Sequence, residues 1–183
     1  MSCILVVHCG REWPIVALSM SRVGNAPIGA PAYWRGSTAS FFLGVYIHSL
    51  DPKGCLTIPA RFRTQLADGL VISRGPDPCL VIYPQREWES LATNLSRLPR
   101  SQRAARSYNR LLFGGAAEAN MDRMGRVLVP SFLREYAAIT EDAVVVGVNT
   151  VIEVWNPDAW RLIREADSES MDDILGAVGQ MGV

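Results

Sequence analysis

Two short stretches carry an aspartate, a glycine three residues later, and cations at set places around them. The first is Asp51-Pro52-Lys53-Gly54 and the second Asp122-Arg123-Met124-Gly125. An aspartate that opens a tight turn accepts hydrogen bonds from backbone N–H groups two or three residues on, and glycine supplies the left-handed residue such a turn needs. The turn is thereby stiffened and its tip acquires a fixed direction. The tips bear Lys53 in the first copy and Arg123 in the second, with Arg126 just after the second glycine. Rigid tips with cations suit contacts to phosphates or to base edges in a groove. They are equally compatible with two structural hairpins whose charges are merely solvated.

The two stretches are copies. An offset of 71 residues relates Asp51 to Asp122, Gly44 to Gly115, Gly54 to Gly125, Pro59 to Pro130 and Arg63 to Arg134. The match then slips by one residue, so that Trp88 answers Trp160. A unit this small does not bury its apolar face alone, and the copies are expected to share one core. Each repeats one order of elements. Val45, Ile47 and Ser49 alternate with Tyr46 and His48 as a half-buried strand, and Leu56-Thr57-Ile58 is expected to close a hairpin with it. Pro59 opens a helix over Ala60 to Ala67, and Pro130 one over Ser131 to Ala138. Paired strands follow at Leu70–Ser73 with Cys79–Tyr83, and at Val144–Gly147 with Val151–Trp155. Amphipathic helices then carry Trp88, Leu91, Leu95 and Leu98 in one copy and Trp160 and Ile163 in the other, the tryptophans read as core. Between the copies a linking helix is expected to turn Tyr108, Leu111 and Leu112 inward and its arginines outward.

The cations after Pro59 and Pro130 divide by symmetry. Arg63 and Arg134 match each other and suit a structural ion pair with an acid such as Asp51 or Asp122. Arg61 has Phe132 at the matching place, so it is free surface or a contact specific to one half.

Composition narrows the function classes. The chain has 183 residues, apolar content of 49%, charged content of 20% and formal net charge of zero. That is globular, with no global basic field; what matters is where the charges sit. Arg97, Arg100, Arg103, Arg106 and Arg110 lie in a stretch with no acid, whereas Glu165, Asp167, Glu169, Asp172 and Asp173 follow one another with no base after Arg164. These are a solvated helix face and an acidic tail, or a positive surface that the tail shields. No apolar run reaches the ~20 residues that span a bilayer, and no positive region precedes the Cys3–Val7 run as in a signal peptide. Cys3, Cys9, Cys55 and Cys79 form no C-x-x-C pair and read as free thiols of a reducing cytosol. The two histidines, His8 and His48, build no catalytic set, and no glycine-rich nucleotide loop is present. The chain is thus expected to be no enzyme and to need no metal, no cofactor and no small-molecule substrate.

The segments LDPKGCLTIPARFR, VIYPQREWE, MDRMGRVLVPSFLREYA and IEVWNPDAW together resemble the MraZ family of bacterial transcriptional regulators, tandem relatives of the SpoVT–AbrB hairpin. The resemblance covers about Phe42 to Trp160. It implies an α+β fold in which two swapped-hairpin, AbrB-like repeats form a pseudo-twofold β-barrel with flanking helices. The implied organisation is an N-terminal extension at 1–40, disordered or a mis-assigned start; a first repeat at 41–98; a linking helix at 99–114; a second repeat at 115–166; and an acidic C-terminal tail at 167–183. The implied function is cytoplasmic and nucleoid-associated: a ring-shaped homo-oligomer that binds double-stranded DNA at promoter direct repeats of the cell-division and cell-wall gene cluster. An antitoxin-like or other protein-interaction module on the same hairpin is the alternative. The implied DNA-facing residues are Lys53, Arg123 and Arg126, beside Arg61, on turns built by Asp51, Gly54, Asp122 and Gly125. The chain departs from the family pattern at Cys55, where an arginine is usual, and at Leu43, where a basic residue is.

Overall fold

Alternating residues and turn-forming dipeptides between residues 41 and 182, the span that this computed structural model describes, fold into eight strands and five α-helices. The expectation of a disordered extension or mis-assigned start at 1–40 lies outside the described residues. In chain order the first repeat supplies β1 (Phe42–Ser49), β2 (Cys55–Thr57), a 3-10 helix (Ala60–Leu66), β3 (Leu70–Arg74), β4 (Cys79–Pro84) and α1 (Gln85–Ser96). After α2 (Arg103–Gly114) come β5 (Ala117–Ala119), β6 (Arg126–Leu128), α3 (Ser131–Tyr136), β7 (Asp142–Asn149), β8 (Val151–Trp155), α4 (Pro157–Glu169) and α5 (Met171–Gln180). The class is α+β, as expected.

β3 pairs with β4 and β7 with β8 inside their own repeats, and the remaining ladders join one repeat to the other. β1 runs antiparallel to β7, with Phe42 opposite Asn149 and Ser49 opposite Asp142. β5 of the second repeat adds to β3 of the first, and β2 pairs with β6 through Leu56 opposite Val127. The expected β1–β2 hairpin is reduced to one isolated bridge between Leu50 and Leu56, mirrored by Met121 and Val127. The reason is burial: Leu56 and Val127 both become fully inaccessible when the two short strands lie side by side. The barrel expectation is corrected as well. A six-stranded sheet in the order β1-β7-β8-β4-β3-β5 stands beside the separate β2–β6 pair, and no ladder joins its end strands into a closed barrel.

The main core serves both copies, and so does a smaller cluster of Cys79, Val81, Val144, Val146 and Trp155. Phe42, Leu56, Phe62, Ile72 and Ile82 of the first pack with Val127, Leu133, Val145 and Ile152 of the second. Phe62 stands edge-on to Phe42 and Tyr46, at ring-centroid distances of 5.1 and 5.3 Å. Trp88 is half-buried between Tyr83 and Phe113, and Trp160 lies against Trp155, so the tryptophans pack as expected. On α2 the expected inward face is narrower than thought: Ala105 and Leu112 are buried, but Tyr108 and Leu111 are exposed. β1 is the half-buried strand that its alternation predicts. Phe42, Tyr46 and His48 lie on the inner side, and Leu43, Val45 and Ile47 are exposed.

At the middle of the β1–β7 ladder Gly44 faces Gly147. A Cβ on Gly147 would lie 2.5 Å from Leu43 N and from Phe42 C, and those are backbone atoms that cannot swing aside. Gly147→Ala is therefore expected to cost about 1–3 kcal/mol through overpacking. Denaturant unfolding measures it, and an unchanged midpoint would mean that the strands separate freely.

Candidate nucleic-acid interface

Both turns are built alike. Asp51 Oδ1 accepts the N–H groups of Lys53 (3.0 Å) and Cys55 (2.8 Å), and Gly54 N–H closes the turn on Asp51 O at 2.8 Å. Asp122 Oδ1 accepts the N–H groups of Met124 (2.8 Å) and Arg126 (2.9 Å), and Gly125 N–H donates to Asp122 O at 3.0 Å. The aspartates thus reach two and four residues on, a tighter hold than a simple Asx turn. Gly54 and Gly125 take φ of +85° and +79°, the left-handed region that favours glycine.

The repeats also brace each other's turns. Gly54 O accepts Val129 N–H at 3.0 Å, and Gly125 O accepts Ile58 N–H at 2.9 Å. The guanidinium of Arg134 covers Gly54, and that of Arg63 covers Gly125, so each arginine packs on the other copy's glycine. Arg63 Nε donates to Ile58 O at 2.9 Å and Arg134 Nε to Val129 O at 3.2 Å. The expected ion pair of these arginines is thereby corrected: among the described residues neither meets a carboxylate, because the side chain is spent on a backbone carbonyl and on the flat glycine opposite.

The carboxylate partner is Arg126. Its Nη2 and Nε reach Asp122 Oδ2 at 2.8 and 2.9 Å, and its Nη1 reaches Asp51 Oδ2 of the other repeat at 3.2 Å. The repeat offset puts Cys55 where the symmetric arginine would stand, so one guanidinium serves both aspartates. With about a third of the side chain exposed, solvent screens each pair and its contribution is small. Lys53 and Arg123 are exposed at the tips, and neither has a carboxylate partner among the described residues. Arg61 is exposed too, steadied by the Tyr46 hydroxyl that accepts its Nη1–H at 3.0 Å. β2 and β6 are antiparallel, so the turns preceding them lie at opposite ends of that ladder. Sequence reading missed Met124, Leu128 and Phe132, which are exposed on the second copy. The one-sided Phe132/Arg61 match was the signal that the two tips differ in chemistry.

The carboxyls of Asp51 and Asp122 are held below their ordinary 3.8, first by the N–H donors of Cys55 and Arg126 respectively and further by the Arg126 charge. A depressed folded value means that the turns' stabilisation is fully present above about pH 4 and is lost as pH falls through the folded values. Amide protection at Gly54 and Gly125, taken relative to the intrinsic exchange rate at each pH, is expected to fall together on acidification below about pH 4. Protection that persists at lower pH would detach the carboxylates from the turns' stability. No group of histidine, cysteine, aspartate and glutamate suited to a metal occurs among the described residues. Cys79 is buried among apolar neighbours, which pushes its thiol up to about 12 and leaves it unreactive.

Strands paired across the repeats, a shared core and a pair of stiffened turns with exposed tips define a tandem-repeat α+β protein. Comparison with known proteins places it more closely. The family model described as "MraZ protein, putative antitoxin-like" matches residues 41–111 and again 112–175. The chain is 41% identical over 142 residues to the transcriptional regulator MraZ of Herpetosiphon aurantiacus, a span covering 78% of this chain and 99% of that protein. With the namesake of Roseiflexus castenholzii it shares 46% over 125 residues, 68% and 87% of the two chains. With that of Halothermothrix orenii it shares 39% over 142 residues, 78% and 99%. The chain belongs to the MraZ family.

Proposed function

We propose that this protein is a transcriptional regulator that binds double-stranded DNA through its paired turns. The carrying observation is the exposure of Lys53 and Arg123 on two tips whose backbone is fixed by Asp51 and Asp122. A preorganised cation loses little freedom on meeting a phosphate, and the printed names of the relatives agree with the reading. Arg126 stays on its aspartates and holds the tips in register, or exchanges them for a phosphate on binding; Arg61 extends the surface on one side. The finer reading follows the family resemblance: a ring-shaped homo-oligomer on direct repeats in the promoter of the cell-division and cell-wall gene cluster, cytoplasmic and nucleoid-associated, working without catalysis or cofactor. A ring multiplies weak tips by avidity, which suits a chain of zero net charge. No helix among the described residues is long and apolar enough to cross a membrane.

Salt titration of binding to a duplex bearing such direct repeats tests this. Each phosphate contacted contributes a slope of about −0.9 in log affinity against log salt, so ~6–10 contacts lose roughly 1,000- to 100,000-fold between roughly 50 and 200 mM salt. A flat salt response would sink the phosphate-contact reading. The second reading, an antitoxin-like interaction module, draws on the wording of the family description. Stoichiometric co-purification with an unrelated protein, without duplex binding, would favour it.

A further inference from the structure

Two surfaces outside the turns are left unused, and they are complementary. The first is an open cleft of about 660 Å³ between α1 and α2. Leu95, Leu98 and Phe113 line its apolar part, and Arg100, Arg106 and Arg110 its margin. Arg106 Nη1 is fixed there by the carbonyls of Arg100 (2.8 Å) and Ser101 (2.7 Å). Among the described residues none of the three arginines meets a carboxylate. The second surface is α5. Met171, Ile174, Leu175 and Val178 fall at i, i+3, i+4 and i+7, one apolar stripe, and all are exposed. Asp172 and Asp173 sit in its first turn, without cation partners among the described residues.

We propose that α5 of a second copy of this chain lies in the α1–α2 cleft, its apolar stripe on Leu95, Leu98 and Phe113 and its aspartates against Arg106 and Arg110. The chain's own α5 follows α4 after Ser170 and is exposed along its length, leaving the cleft open for another copy. A helix of ten residues is about 15 Å long, a match for a cleft walled by two twelve-residue helices. Apolar contact supplies the affinity and the charges set direction and partner. Donor and acceptor surfaces differ, so the contact is head-to-tail and each copy offers one of each. Such contacts continue from copy to copy and close into a ring when the rotation permits. The docking rests on the self-association included in the proposed function and specifies the surfaces that make it.

The test uses the full chain and measures mass in solution by light scattering and native mass spectrometry. Two charge-reversed variants are made, Asp172→Arg with Asp173→Arg, and Arg106→Glu with Arg110→Glu. Each alone opposes like charges at the contact, and is expected to dissociate at concentrations at least tenfold above those that dissociate the parent chain. Mixed one to one and alternating round the assembly, they regain unlike charges at every contact, and assemblies with even numbers of copies are expected to return. Recovery on mixing also proves that both variants are folded. A third variant, Ile174→Asp with Leu175→Asp, is expected to stay monomeric in every mixture lacking another α5. Variants that assemble like the parent chain would overturn this docking and leave self-association standing. A parent chain that is monomeric throughout would overturn both. Duplex binding is scored separately, since neither surface contains the turns.

Discussion

Charge reversal of Lys53 and Arg123 together is expected to abolish retention of a cognate duplex in gel shift at ~150 mM salt, a loss on the order of 100-fold or more. Both side chains are exposed at tips whose backbone hydrogen bonds come from Asp51 and Asp122, not from the cations. The turns therefore survive the substitution, and thermal unfolding should barely move. The size of the effect comes from repetition: each copy in an assembly would lose two attractions and gain two repulsions along one DNA. Single replacements by alanine are expected to be milder and to lower the salt slope by about one per contact removed. Arg126→Ala separates the two roles of that residue. If its guanidinium is chiefly the tie between Asp51 and Asp122, the loss is moderate and accompanied by faster amide exchange in both turns. Undiminished binding by the double reversal would remove the tips from the interface.

Phe62→Ala is expected to be the most damaging single change to stability, at about 3–5 kcal/mol. Phe62 is inaccessible to solvent and meets Phe42 and Tyr46 edge-on. It comes from the 3-10 helix of the first repeat, yet the cluster it fills includes Val127, Leu133 and Val145 of the second. Against a total stability of about 5–15 kcal/mol, such a loss lowers the melting temperature by on the order of 10 °C. Because the core is common, calorimetry should show one transition for both repeats. Two separated transitions would mean that the halves keep cores of their own.

Much of this was legible in the residues. The offset of 71 announced two equivalent turns, and Gly54 and Gly125 do take positive φ. The strands of β3 with β4 and of β7 with β8 lie where hydrophobic alternation and intervening turn residues put them. Strand partners were not legible. Alternation shows that Phe42–Ser49 is extended, but it is silent on whether Leu56 or Val144 lies alongside; burial of Leu56 against Val127 decides, and that is a property of the assembled core. Alternation was likewise silent on which face of β1 turns inward, and only the folded chain shows Val45 and Ile47 exposed. Arg63 and Arg134 matched in sequence, but equivalence does not name a partner. Only the folded backbone brings each guanidinium over the other copy's glycine.

That crossed arrangement makes each half depend on the other. A half that lacks its neighbour has a bare glycine turn, an arginine with nothing to cover and a short strand with an open edge. Its natural remedy is to find an identical half, and the crossed contacts are those that a symmetric pair of short chains would make. Within one chain the halves are free to differ, and the single arginine that serves two aspartates, facing a cysteine where its twin would be, is such a difference.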